Sequence, residues 1–242
     1  MCTTSKISIV IPVKNEIRNV QPLTKEISDT CSFLNYEIIF INDGSTDGTE
    51  AKLINLKHKY DNLRVITHNK SFGQSFAIKT GVLHAQYDII VTLDGDCQND
   101  PADIPMMIKK FEKENNKSLF IGGVRKKRKD NLTKRLDSRF GRYCRIVFLI
   151  DYHTDSGCGI KLFHKSLFLS MPYFDHMHRF LPALAKREGA KIIAMNVNHR
   201  KRLDGASNYT NLGRLLVGIF DILGVMWLIK RSPQNFNSKE KK

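Results

Sequence analysis

Short apolar runs that each end on a polar cluster, separated by segments of helical spacing, constrain this chain more than any other feature. Residues 7–12 are an apolar run closed by Pro12, and the next helical spacing covers 20–33. Residues 36–41, 63–68 and 87–93 repeat the apolar pattern, with helical segments starting after Ser45, Thr46 or Asp47 and at Gln74. Apolar runs this short, bounded by turn residues, read as buried strands. Strands that alternate with helices predict an α/β fold with a mostly parallel sheet and right-handed crossovers. In such sheets ligands bind beyond the carboxyl ends of the strands. The polar clusters fall there: Lys14-Asn15-Glu16, Asn42-Asp43, His68-Asn69-Lys70 and Asp94-Gly95-Asp96. One site at one edge of the sheet is therefore expected.

Composition narrows the class of function. Lys and Arg number 39 against 24 Asp and Glu, a net charge of +15. That excess points to phosphate, whether on nucleic acid, an anionic membrane or a phosphorylated substrate. The cysteines at 2, 31, 97, 144 and 158 have no Cys-x-x-Cys spacing, so neither a disulfide framework nor a zinc site is indicated. The N-terminus enters a strand at once and shows no signal-peptide core. No apolar run is long enough to predict a spanning helix.

Asp94-Gly95-Asp96, with Gln98 two residues on, offers hard oxygen ligands for a divalent cation such as Mg²⁺ or Mn²⁺. The same stretch also reads as a polar turn in which Asp100 caps a helix begun by Pro101. The two readings are compatible. Asp43 suits either a hydrogen bond to a base or ribose, or an Asx turn before Gly44. Residues 125–145 are dense in Lys and Arg with apolar residues at helical spacing. That segment reads as a basic amphipathic helix for an anionic interface or a phosphate-bearing lipid, as a solvated face, or as a nucleic-acid contact. Its apolar end at 146–150 favours a membrane interface over nucleic acid. Residues 211–231 are apolar almost all round but broken by Arg214 and Asp221. They predict a helix in a bilayer interface or docked on a membrane partner, or else a core helix.

Four stretches in order, Ile11-Pro-Val-Lys-Asn-Glu16, Asn42-Asp-Gly-Ser-Thr-Asp-Gly-Thr49, Ser71-Phe-Gly-Gln-Ser-Phe-Ala77 and Leu93-Asp-Gly-Asp-Cys-Gln98, resemble family 2 glycosyltransferases of the GT-A fold. Asp155-Ser-Gly-Cys-Gly-Ile-Lys161 and His199-Arg-Lys-Arg-Leu-Asp-Gly-Ala-Ser207 are similar to the polyprenyl-phosphate branch, whose familiar members include dolichyl-phosphate mannose synthases. The ordered set is far more specific than any one motif.

The resemblance implies metal-assisted, inverting transfer of a sugar from a UDP- or GDP-linked donor to a polyprenyl phosphate. Pro12, Glu16 and Asp43 would line the nucleoside pocket, with Gly95 beside the substrate. Asp94, Asp96 and Gln98 would hold Mg²⁺ or Mn²⁺ on the diphosphate. Arg125 and Arg139 would contact phosphates. Arg200, Arg202 and Ser207 would close over the donor, although Asn208 stands where relatives often carry Lys. Asp155 would orient the acceptor or hold an arginine, and His178 and Arg179 face the acceptor side or form a surface turn. The implied organisation is a GT-A domain over 1–210, an apolar interfacial or partner-docking helix over 211–231 and a disordered polar tail over 232–242. The implied location is peripheral, on the cytoplasmic face of a membrane, with a small membrane subunit as a possible partner and no nucleic acid. Transfer to a soluble or other glycan acceptor, and a non-catalytic basic binding module on the same fold, are the competing readings.

Overall fold

The structure is a computed structural model that describes residues 5–125, 155–200 and 211–231. Its strands are β1 (Lys6–Val13), β2 (Asn35–Asn42), β3 (Leu63–Thr67), β4 (Ile89–Thr92), β5 (Leu119–Arg125), β6 (Lys161–His164) and β7 (Lys191–Val197). Its helices are α1 (Val20–Cys31), α2 (Thr49–Lys57), α3 (Gln74–His84), α4 (Ile104–Glu114), α5 (Lys165–Ser170), α6 (Leu181–Arg187) and α7 (Asn211–Arg231). The strands form one sheet in the order β3-β2-β1-β4-β6-β5-β7. β1, β2, β3 and β4 pair in parallel, as do β5 and β7, while β6 runs antiparallel between β4 and β5. The mostly parallel α/β sheet expected from the alternation is present.

Both faces of the sheet are covered, which explains why the strands read as continuous apolar runs. Ile7, Ile9 and Ile11 of β1 face a core shared with α1, α2 and α4, whereas Val10 faces a second core with α3, α5 and α6. Ile38 and Phe40 divide from Ile39 and Ile41 in the same way across β2. This alternation follows from the two-residue period of a strand.

The turns carry recognisable start signals. None of the three residues offered to cap α2 is its N-cap, which is Gly48 in a left-handed backbone; Asp47, just before it, accepts from the Thr49 amide at 3.0 Å. Asp100 accepts from the Ala102 amide at 3.0 Å, so the capping role read from Pro101 holds. α1 ends at Cys31, two residues before the expected limit, and Phe33 is exposed.

α7 is neither a free helix nor a core helix. Val225 is buried, and Ile222, Met226 and Ile229 pack against the second core. Phe220, Leu223 and Trp227 are 72%, 45% and 59% exposed. Their spacing of three and four residues aligns them in one stripe. Among the described residues no helix is long and apolar enough to cross a membrane.

Candidate active site

The loops that follow β1, β2 and β3 are bound to one another. The Asn15 amide donates to Ser45 Oγ at 2.9 Å, and the Thr46 amide donates to Asn15 Oδ1 at 2.8 Å. The Glu16 amide donates to Thr49 Oγ1, also at 2.9 Å. Asp43 sits at the centre and is 4% exposed. Its carboxylate accepts from Ser71 Oγ at 2.7 Å and from the Phe72 and Gly73 amides at 2.9 Å, and it pairs with His68 Nδ1 at 2.8 Å. Burial opposes its charge, yet the bonds from His68, Phe72, Ser71 and Gly73 outweigh burial and hold its pKa below the ordinary value. The Asx turn offered for Asp43 is not formed; its four hydrogen bonds fasten the loop before α3. Pro12 and Glu16 stand in the adjoining β1 end, Glu16 accepting from Asn19 Nδ2.

The Asp94-Gly95-Asp96 turn leaves β4 beside the end of β1. Gly95 is buried, and a Cβ there would overlap Val13 and crowd the Pro12 carbonyl, so the turn lies flat on β1. A Cβ at Gly159 would likewise collide with the Asp94 carboxylate. Asp94 Oδ1 accepts from Gln74 Nε2 at 2.8 Å, which ties the turn to the start of α3. Asp96 Oδ1 accepts from the Gln98 amide at 3.1 Å. Burial and the adjacent Asp96 charge push the Asp94 pKa up to about 6, against the pull of Lys161, Arg125 and Gln74. A carboxylate pair so placed gains from a divalent cation. Among the described residues no cluster of three or more His, Cys, Asp or Glu could hold a metal by itself. Two carboxylates therefore fit an ion such as Mg²⁺ or Mn²⁺, which keeps water and takes its remaining oxygens from substrate phosphates.

The opposite wall comes from 155–179. Asp155 holds Arg125 by a bidentate pair, Nε to Oδ2 and an η nitrogen to Oδ1, both at 2.6 Å. Of the two roles read for Asp155, the arginine-holding one is seen. His178 Nδ1 lies 2.7 Å from Ser75 Oγ, and burial drives its pKa down to about 3, so it stays neutral. His176 adopts a left-handed backbone and meets Asp221 of α7 at 3.3 Å.

Between the two walls lies a cavity of about 740 Å³. Gln74, Asp94, Arg125, Lys161, His178 and Arg179 are among its lining residues. Of the residues in the strand-end clusters only Asp94 lines this cavity; Asp43 reaches it through the Ser71, Phe72 and Gly73 loop that it fastens, while Pro12, Glu16, Gly95, Asp96 and Gln98 are not among the lining residues. His178 and Arg179 do line it. Arg200 is brought to the stretch after the Asp94-Gly95-Asp96 turn by its backbone, its amide donating to the Gln98 carbonyl at 2.9 Å. Its guanidinium is turned to Glu26 and Asp100, 2.7 Å from each, and does not line the cavity. Arg139, Arg202 and Ser207, and most of the basic segment 125–145, lie outside the described residues. Lys161 and Gln74 were inside quoted motifs but had no assigned role. Lys161 carried a signal in being a charged residue opening a buried apolar strand.

A family model described as Glycosyl transferase family 2 matches residues 8–177. A dodecaprenyl-phosphate galacturonate synthase of Rhizobium johnstonii is 34% identical, the match covering 96% of this chain and 70% of the relative. An undecaprenyl-phosphate 4-deoxy-4-formamido-L-arabinose transferase of an Enterobacter species is 30% identical over 90% of this chain and 66% of its own length. Among solved structures, glucosyl-3-phosphoglycerate synthase of Mycobacterium tuberculosis, crystallised with Mg²⁺ and uridine diphosphate, superposes with a TM-score of 0.69 at 16% identity, covering 96% of this chain and 82% of its own. At that identity the likeness speaks for the GT-A fold alone. The sequence matches and the strand-end site together place this chain: it belongs to glycosyl transferase family 2.

Proposed function

We propose that the chain transfers a sugar from a nucleotide-sugar donor to a polyprenyl phosphate, with a divalent cation and with inversion at the anomeric carbon. The observation that carries this reading is the cavity itself, which brings the Asp94 carboxylate together with Arg125, Lys161 and Arg179. The two relatives named for polyprenyl-phosphate sugar transfer match at least 90% of this chain, although the chain spans only 70% and 66% of their lengths.

Pro12, Glu16 and the loop fastened by Asp43 form the nucleoside side. Asp94, Asp96 and Gln98 would hold Mg²⁺ or Mn²⁺ at the diphosphate, with Gly95 letting the turn lie flat on β1. When bound, the cation stabilises negative charge on the departing diphosphate as a Lewis acid. The acceptor is a phosphate monoester, already anionic near neutral pH. One of its oxygens bonds to the anomeric carbon as the bond to the diphosphate breaks and its electron pair leaves with the diphosphate. No strong base is required, and neutral His178 is a hydrogen-bonding group here. Positioning and charge stabilisation are what the protein must supply. Arg125, fixed in its fork by Asp155, serves the first, and Arg139, Arg202 and Ser207 are expected to add phosphate contacts.

The acceptor's lipid requires a membrane. The Phe220, Leu223 and Trp227 stripe, ending in Lys230 and Arg231, suits peripheral binding at the cytoplasmic interface. A small membrane subunit is the other candidate for that stripe. The deciding experiment incubates purified protein with labelled UDP- and GDP-sugars, a short polyprenyl phosphate and Mn²⁺. Label from one donor should become extractable into organic solvent, and chelation should stop it. Label appearing only in a water-soluble glycoside would move the acceptor to a soluble glycan. No transfer from any donor would refute the reading.

A further inference from the structure

Lys161 opens β6 and pairs in register with Thr92 of β4 and Gly122 of β5, so it stands in the middle of the sheet. It is 5% exposed and lines the cavity. An ammonium has three donors. In Lys161 one goes to the Cys158 carbonyl, a neutral acceptor. Burial opposes its charge and lowers its pKa, while the fields of Asp94 and Asp155 work the other way; Asp155 is held by Arg125 through both oxygens and Asp94 Oδ1 by Gln74. Among the described residues Lys161 forms no ion pair.

A buried charge without a counter-ion is costly, and an apolar residue of similar size is often the more stable choice. The chain nevertheless places an ammonium where a cavity gives a ligand direct access to it. Arg125, by contrast, has its charge matched by Asp155. Among the described residues lining the cavity, a positive charge left without an ion pair is therefore that of Lys161, whose register partner Thr92 stands two residues before Asp94.

We propose that Lys161 is the centre of an oxyanion-binding subsite in this cavity, which takes either the phosphate of the acceptor or a carboxylate on the transferred sugar. The subsite rests on the reading of the cavity as the place of sugar transfer. It adds a ligand class and a residue that the motif resemblance left without a role.

Calorimetry on the full chain separates the sources. A short prenyl monophosphate is titrated into protein with UDP and Mn²⁺, and UDP-galacturonate is compared with UDP-galactose, for the wild type and Lys161→Met. Affinity for one anion should fall about tenfold or more, the size of one lost charge-assisted bond. UDP affinity should stay within about twofold. Loss of prenyl phosphate binding assigns the subsite to the acceptor, and loss of the preference for the uronate donor assigns it to the sugar. If the wild type binds neither anion, or if Lys161→Met binds both as the wild type does, the proposal is overturned. If UDP fails to bind but prenyl phosphate binds in a Lys161-dependent way, the transferase reading falls and the subsite stands. Thermal melting checks the fold. Should Lys161→Met not fold, Lys161→Gln keeps a donor for the Cys158 carbonyl and serves the same comparison.

Discussion

The two walls of the cavity contain similar residue types and treat them oppositely. On the β1–β3 side, Asp43 is buried and its carboxylate accepts from two amides and a hydroxyl and pairs with a histidine. On the β4–β6 side, Lys161 is equally buried and has one neutral partner, while Asp94 sits beside Asp96 with its pKa raised to about 6. The difference separates scaffold from contact surface. A polar group whose bonding is completed within the protein stabilises a loop, whereas one left incomplete at a cavity is where a ligand contributes. Motif membership does not make that distinction, since Asp43 and Asp94 both belong to motifs of the same family.

Substitutions on the two walls should therefore fail in different ways. The largest effect is expected for Asp96→Asn, on the open side. Transfer should drop about 100-fold or more, because charge on the leaving diphosphate loses its cation. The melting temperature should stay near that of the wild type, since the turn is not in the core. Wild-type turnover with Mn²⁺ present would remove Asp96 from the site.

Asp43→Asn probes the closed side, and there the loss should be in stability. An amide cannot accept from all four partners, so about 2–3 kcal/mol of unfolding free energy should disappear. The sign with pH follows from the lowered pKa. Asp43 contributes fully above its unfolded value, near the ordinary 3.8, and its contribution fades as pH falls through the lower folded value. Urea melts at pH 7 and near pH 3 should show a large difference from wild type at the first and a smaller one at the second. Equal differences at both would mean the carboxylate charge is not what fastens the loop.

Replacing Phe220, Leu223 and Trp227 together by Ala should weaken binding to anionic liposomes about tenfold. High salt should release the wild type only in part, because the apolar stripe is not screened. Unchanged liposome partition in the triple variant would assign the stripe to a protein partner. The smallest effect is expected for Arg200→Ala. Its guanidinium is 41% exposed and is held by Glu26 and Asp100, so stability should change by no more than about 1 kcal/mol and donor KM by no more than about threefold. A tenfold rise in donor KM would show that Arg200 leaves those carboxylates to close over the donor.

Much of the β1–β3 side was legible in the sequence. Residues 36–41 read as a strand because Ile38 to Ile41 are buried on both faces, and α3 has the bounds its apolar spacing predicts, 74 to 84. Asp100 was legible as a cap because capping is local, decided within two residues by Pro101 and the Ala102 amide. The β4–β6 side was less legible. β6 has only four residues, and its antiparallel course between β4 and β5 leaves no periodic signal. The Gln74 bond to Asp94 spans 20 residues and the Arg125 pair with Asp155 spans 30.

The sequence by itself determined the alternating strands and helices, the gathering of polar clusters at one sheet edge and the family. Those depend on period, local capping and motif order, which short stretches of chain carry. Only the tertiary structure decided that Asp43 is a fastener, that Arg200 faces away from the cavity and that Lys161 is buried with no ion pair among the described residues. Each of these depends on which distant groups complete a side chain's hydrogen bonds, and strand register fixes that only when the sheet has formed.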